Sequence, residues 1–298
     1  MEKFPQSHAL LLRGGVLSEK EVHPVPPACT ESLLRVHEAD YLEGVARGDL
    51  EERGRLRIGL PLGRELLQRS ARETEATRLA AWAALEEGLA CNLAGGTHHA
   101  FPHAGSGFCV LNDVAVAVRD LHRAHPALRI LVLDTDAHQG DATHFILQSD
   151  PRVYTYSLHV GRNFPSAKVA GDLDVPTIRY IDGPRYLALL RASLDRAFRE
   201  FPEPDLVLWN SGADNHRDDR FGQMRLTVRE MMWRDAHVLH LVREIHRVPL
   251  AVLYGGGYQR TYGHTARLHR NTIAAAKKVA LGQTALPRRL ISSCRIGW

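Results

Sequence analysis

The sequence predicts a single α/β domain of three layers with a mostly parallel central sheet, and three observations carry that prediction. Short aliphatic runs alternate with helical patterns. The runs are apolar on both faces, as strands covered by helices on either side must be. Polar residues of unusual type follow the runs, as they do where parallel sheets build sites beyond the carboxyl ends of their strands.

The candidate strands are Ile130–Leu133, Val153–Tyr156, Leu206–Trp209 and Pro249–Tyr254, each bounded by turn-forming residues. Between them, Val114, Ala115, Ala117, Val118 and Leu121 share one helical face beginning at Asn112. A second face, from Asp182, is made by Leu187, Leu190, Leu194, Ala197, Phe198 and Phe201. Thr227 followed by Glu230 has the spacing of a capping box opening a third helix. No repeat or low-complexity linker divides the 298 residues, so one domain over 1–298 is expected.

Composition excludes several classes. The net charge is only +4 and the arginines are scattered singly, which is no footprint for nucleic acid. Cys29, Cys91, Cys109 and Cys294 form no CxxC pair, so neither a disulfide framework nor a thiolate metal site is expected, in keeping with a reducing compartment. Met1 leads into Glu2, Lys3, Phe4 and Pro5 without a long apolar run, and a cytoplasmic protein without a membrane span is expected.

The strand-end residues carry the chemistry. Asp134, Asp136 and His138 follow the first run, Ser157 and His159 the second, Asp214 the third and Tyr258 the fourth. Carboxylate and imidazole are zinc ligands, and Asp136, His138 and Asp214 would give three of them with a position left open, as catalytic zinc needs. If the strand continued through Asp136 and His138, both would point the same way. The plainer alternative is a loop of turn-forming carboxylates. His98 and His99 follow Gly95 and Gly96; a neutral histidine there can take a proton from an attacking water and return it to a leaving amine, with Asp134 and Asp141 as orienting acids. Two ordinary loop histidines are the plainer reading of that pair. Gly255-Gly-Gly-Tyr258 lets the backbone pass close to the site before presenting a phenol that can donate to an oxyanion. Phe108 and Phe164, each in a loop, would wall an apolar slot.

Together the stretches GGTHHAFPHAGSGFCVLNDVAVAV, LVLDTDAHQGDAT, YTYSLH, VLWNSGADNHRDDRFG and GGGYQR resemble the histone deacetylase family, the zinc-dependent branch of the arginase–deacetylase fold. Gln139, in DAHQG, makes the chain most similar to class IV and bacterial deacetylase-like members. The resemblance implies a zinc hydrolase that removes acetyl or longer acyl groups from lysine side chains or related amines. It implies zinc on Asp136, His138 and Asp214, and His99 with Asp141 as general base and then acid. It further implies His98 with Asp134 as electrostatic partner, Tyr258 as carbonyl-polarising donor, and Gly107, Phe108 and Phe164 along the substrate tunnel. A structural potassium ion on Asp134, Asp136, His138, Ser157 and Leu158 follows from the same resemblance. Thr97 stands where some members carry a bulky aromatic, implying a roomier tunnel floor. Two other readings remain: a manganese ureohydrolase of the same fold, and a catalytically silent deacetylase-like scaffold.

Overall fold

The computed structural model describes residues 2–284; residues 285–298, with Cys294, lie outside the described residues, as does that part of the expected 1–298 domain. Its strands are β1 (Leu89–Asn92), β2 (Ile130–Asp134), β3 (Val153–Val160), β4 (Leu173–Thr177), β5 (Leu206–Asn210) and β6 (Leu250–Leu253). The helices are α1 (Lys3–Arg13), α2 (Thr30–Leu33), α3 (Ala39–Arg47), α4 (Glu52–Ile58), α5 (Arg64–Glu87), α6 (Asp113–Ala124), α7 (Asp141–Leu147), α8 (Gly183–Glu200), α9 (Val228–Leu239) and α10 (Tyr262–Ala280). A 3-10 turn at Glu19–Glu21 and a π-helical turn at His240–Ile245 complete the described elements.

The sheet has the order β1-β6-β5-β2-β3-β4, and all its pairings are parallel. Alternation along β2 explains the three layers. Leu131 and Leu133 face a core with Leu187, Leu190 and Leu194 of α8, Val238 of α9 and Ala276 of α10. Ile130 and Val132 face the other core, with Ala80, Ala81 and Ala84 of α5 and Val114–Leu121 of α6. Both faces of the strand are therefore dry, which is why its sequence reads as an unbroken apolar run.

From β2 the chain steps to β3 on one side, whereas β5 lies on the other side and leads to β6. Such a reversal opens a crevice beyond the carboxyl ends of the two central strands. Asp134 closes β2 directly opposite Asn210, the last residue of β5. The sheet thus brings two site-bearing loops together by register alone.

The expected helices form where their caps stand. Asn112 accepts from the Ala115 amide at 3.0 Å to start α6. Asp182 accepts from Arg185 to start α8. Thr227 and Glu230 make both halves of the capping box on α9. Two strands and the long α5 had no clear sequence signal. β4 is a half-buried edge strand interrupted by Pro176, β1 is only four residues long, and α5 packs through alanines rather than large apolar residues.

Two local expectations are corrected. β3 continues to Val160, so Ser157 and His159 lie inside the strand rather than beyond it. β2 stops at Asp134, so Asp136 and His138 are loop residues and strand alternation does not aim them. The loop aims them instead. Asp134 accepts from the Asp136 amide at 2.9 Å, and Asp136 accepts from the His138 amide at 3.0 Å. Each acid therefore turns the chain for the next residue, and the turn-forming and ligand-type roles coexist.

Candidate active site

Above the β2–β5 junction lies a cavity of about 360 Å³ whose lining includes His98, His99, Asp136, His138, Phe108, Phe164 and Tyr258. Its base is set by two glycine loops in close approach. Gly95 and Gly96 both have φ of +76°, and a Cβ on Gly96 would lie 2.2 Å from Asn210 Oδ1 and 2.7 Å from Gly255 Cα. The left-handed backbone and the lack of room both require glycine there. Gly256 donates its amide to Asp136 Oδ2 at 2.8 Å, tying the Gly255–Tyr258 loop to the acid cluster.

Asp136, His138 and Asp214 converge as expected: one ligand-type atom from each lies within 4.8 Å of the others. His138 Nδ1 is 2.9 Å from Asp214 Oδ2 and 3.1 Å from Asp136 Oδ1, while its Nε2–H donates to the Phe221 carbonyl at 3.3 Å. Burial opposes the charged form of His138, but the bonds to Asp136 and Asp214 outweigh it and raise its pKa well above the ordinary value; with the Nδ1 proton removed, the same atom would offer a lone pair between the two carboxylates. Asp214 Oδ1 is held by the Ala137 amide at 2.9 Å. Burial and the neighbouring Asp136 push the Asp214 pKa up to about 7, whereas His98 and His138 hold Asp136 well below the usual carboxylate range despite its burial. Two carboxylates and one imidazole, brought together from the loops after β2 and β5, fit a divalent cation by charge and by donor type.

The two histidines sit beside that cluster as adjacent dyads. His98 Nδ1 meets Asp134 Oδ2 at 2.6 Å, and His99 Nδ1 meets Asp141 Oδ1 at 2.7 Å. Their rings are 4.0 Å apart between centroids. Burial opposes the charged form of His98, but Asp134 and Asp136 outweigh it and raise its pKa to about 9. For His99, burial and the charge of His98 prevail over Asp141 and lower the pKa to about 4. A neutral His99 that donates through Nδ1 to Asp141 keeps Nε2 as a lone pair.

Tyr258 packs its ring against Phe108, with centroids 5.1 Å apart, and against Phe221 at 5.6 Å. Burial raises its pKa well above the usual value, so the phenol keeps its proton. The Tyr258 amide donates to Asp219 Oδ2 at 2.6 Å. Phe164 stands edge-on to His99 at 4.8 Å. A Cβ on Gly107 would come within 2.8 Å of His99 and 2.9 Å of Phe164, so the residue must stay small for the wall to close. Phe108 lies beside it at φ +66°, held by the Ile58 carbonyl at the end of α4. Ser157 stands opposite Asp134 in the β2–β3 register, with Leu158 beside it, both fully buried.

Four contributors escape the sequence reading. Asp219 accepts from the amides of Phe221, Gly222 and Tyr258 and so shapes the rim. Phe221 supplies a rim ring as well as the carbonyl for His138. Asn210 donates to Asp134 at 3.1 Å. Buried Lys3, 3% exposed, donates to the Gly255 carbonyl at 3.1 Å from the far end of the chain. Asp219 and Phe221 stand within the NHRDDRFG stretch, which marks the region but not the individual residue. Nothing local signals that Lys3 folds inward.

Comparison with known proteins identifies the family and the fold. Residues 1–275 match the model of the histone deacetylase domain. The chain is 40% identical to an uncharacterized protein of Picosynechococcus over 94% of its own length and 92% of that protein. It is 28% identical to Histone deacetylase 2 of Arabidopsis thaliana, covering 92% of this chain and 72% of the relative. The crystal structure of an HDAC homolog complexed with SAHA superposes with a TM-score of 0.78 at 25% identity, over 94% of this chain and 77% of that one. The three-layer fold is that of these proteins, and the chain belongs to the histone deacetylase family of hydrolases.

Proposed function

We propose that this chain, as one catalytic domain, is a zinc-dependent lysine deacylase. The observation that carries the reading is the shared cavity in which a neutral, carboxylate-anchored His99 stands beside the Asp136, His138 and Asp214 cluster. Zinc held by those three residues would activate a water and polarise the acyl carbonyl. His99 accepts the proton of the attacking water at Nε2, with Asp141 fixing the ring through Nδ1. His99 then returns that proton to the departing amine, giving free lysine and a carboxylate. Tyr258 donates a hydrogen bond from its phenol to the oxygen where negative charge would develop. His98, kept cationic by Asp134 and Asp136, adds positive field beside the same atoms. Phe108, Phe164 and Gly107 line the approach for the aliphatic stem of the substrate.

Potassium on Asp134, Asp136, His138, Ser157 and Leu158 is part of the same proposal, supported by the pairing of Asp134 with Ser157 at the β2–β3 edge. The cavity lining also includes Thr97, Lys3 and Glu73. Thr97 bonds through its hydroxyl to the Leu111 carbonyl at 2.5 Å, so its small side chain is turned to the backbone.

The test is release of free lysine from acetyl-, octanoyl- and myristoyl-lysine peptides, with and without a chelator. Chelator-sensitive cleavage is expected, and the relative rates set the acyl length that the site accepts. No cleavage of any peptide by protein with zinc demonstrably bound would overturn the reading in favour of a silent scaffold.

A further inference from the structure

A second group of ligand-type side chains lies outside the catalytic cavity. His216 and Asp218 follow Asp214 in the loop after β5, and His264 stands in the first turn of α10. One ligand-type atom from each lies within 4.8 Å of the others, and the described residues hold just two such groups, this one and the catalytic cluster. The two imidazole rings meet edge to face with centroids 4.6 Å apart. Asp218 Oδ2 is 3.8 Å from His216 Nδ1 and 3.9 Å from His264 Nδ1.

Those separations are too long for hydrogen bonds. They approach the spacing of two ligands on one tetrahedral ion, about 3.3–3.5 Å for bonds near 2.0–2.1 Å. His216 Nδ1 accepts a 3.2 Å bond from the Asp218 amide, a weak contact that coordination through this atom would replace. The residues are graded in exposure: His216 is buried, with 3% of its side chain accessible, His264 has 29% and Asp218 has 51%. A buried anchor with two reachable partners leaves an ion both an entry path and a position for water.

We propose that His216, Asp218 and His264 form a second transition-metal site, for which Zn²⁺ is the fitting ion. Two imidazoles and one carboxylate suit zinc and its neighbours, and they discriminate against magnesium and calcium, which take oxygen ligands. The site joins two parts of the chain that shape the catalytic rim. Residue 216 is two positions from Asp214, and Asp219, next to Asp218, holds the amide of Tyr258. His264 belongs to the helix that follows the Tyr258 loop. An ion there fastens the loop after β5 to the start of α10, bracing the segments that carry Asp214 and Tyr258 without touching the reacting atoms.

The experiment is equilibrium dialysis of the metal-free full chain against micromolar Zn²⁺, with bound zinc counted per chain. Two ions are expected for the wild type, and one for His264→Ala and for Asp218→Asn. Asp136→Asn, which disables the catalytic cluster alone, should also bind one, and adding His264→Ala to it should leave none. Zinc uptake that His264→Ala and Asp218→Asn both leave at the wild-type number overturns the proposal. Because both altered side chains reach solvent, the variants should keep the wild-type melting temperature without metal. Failure of the catalytic reading would show separately, as zinc uptake that Asp136→Asn leaves unchanged.

Discussion

His98 and His99 are consecutive residues, each joined through Nδ1 to a buried carboxylate at nearly the same distance, yet their protonation chemistry is opposite. His98 lies within reach of Asp134 and Asp136 and is raised to about 9. His99 has the charged His98 on one side and His138 on the other, and burial takes it down to about 4. A histidine–aspartate pair therefore does not define a role. The surrounding charges do, and pairs of titratable groups pushed apart in this way are how one site supplies both a fixed cation and a proton acceptor.

The largest effect should come from removing the phenol opposite the dyads while leaving both intact. Tyr258→Phe is expected to lower kcat about 100- to 1000-fold, the cost of one oxyanion donor. The shape of the pH profile should not change, because neither dyad is altered. Steady-state kinetics on an acetyl-lysine peptide check this, and an acid or alkaline shift of the profile would mean that the two dyads do not act independently of Tyr258.

Exchanging one carboxylate at a time separates the dyads. Asp134→Asn removes a principal cause of the raised His98 pKa, so the charge on His98 should be lost at lower pH and the activity profile should narrow from its alkaline side. Asp141→Asn leaves His98 charged and instead frees the His99 ring, lowering kcat on the order of 10-fold, and because Asp141 raises the His99 pKa the acid side of the profile should move to still lower pH. Equal profiles for the two variants would dissolve the distinction between the dyads.

How far the sequence reveals this arrangement depends on the range of the signal. β2, β5 and β6 are visible because strands buried on both faces must be continuously apolar, and α6, α8 and α9 because caps and helical faces are local. Asp136, His138, Asp214, His98, His99 and Tyr258 are visible as residue types out of place beside apolar runs, and the fold gathers them in one cavity region. Their aim was not visible: a loop of side chain to amide bonds sets Asp136 and His138, where strand alternation was expected. Asp219 and Lys3 act through backbone amides and carbonyls far away in sequence, and such contacts leave no periodicity to read.

A separate effect, on stability alone, concerns a third histidine, one with no carboxylate. His37 is buried, bonds through Nδ1 to the Phe101 carbonyl at 3.2 Å and accepts the Asn112 amide at Nε2 at 2.9 Å. Burial lowers its pKa to about 4 from an ordinary 6.5. Its folded value lies below its unfolded value, so its contribution is complete above pH 6.5 and is lost as pH falls toward 4. The linked loss is on the order of 3 kcal/mol at the acid end. Urea melts at pH 7.5 and 4.5 should show a smaller difference for His37→Gln than for the wild type; an unchanged difference would remove His37 from the acid sensitivity.

The most direct test of the account is free-lysine release from an acetyl-lysine peptide by His99→Ala beside the wild type, with bound zinc and melting temperature measured on both. The account predicts metal content and stability close to wild type, with turnover reduced at least about 100-fold, the lower range for loss of a general acid–base group. A zinc-loaded, folded His99→Ala protein that turns over at the wild-type rate would contradict it.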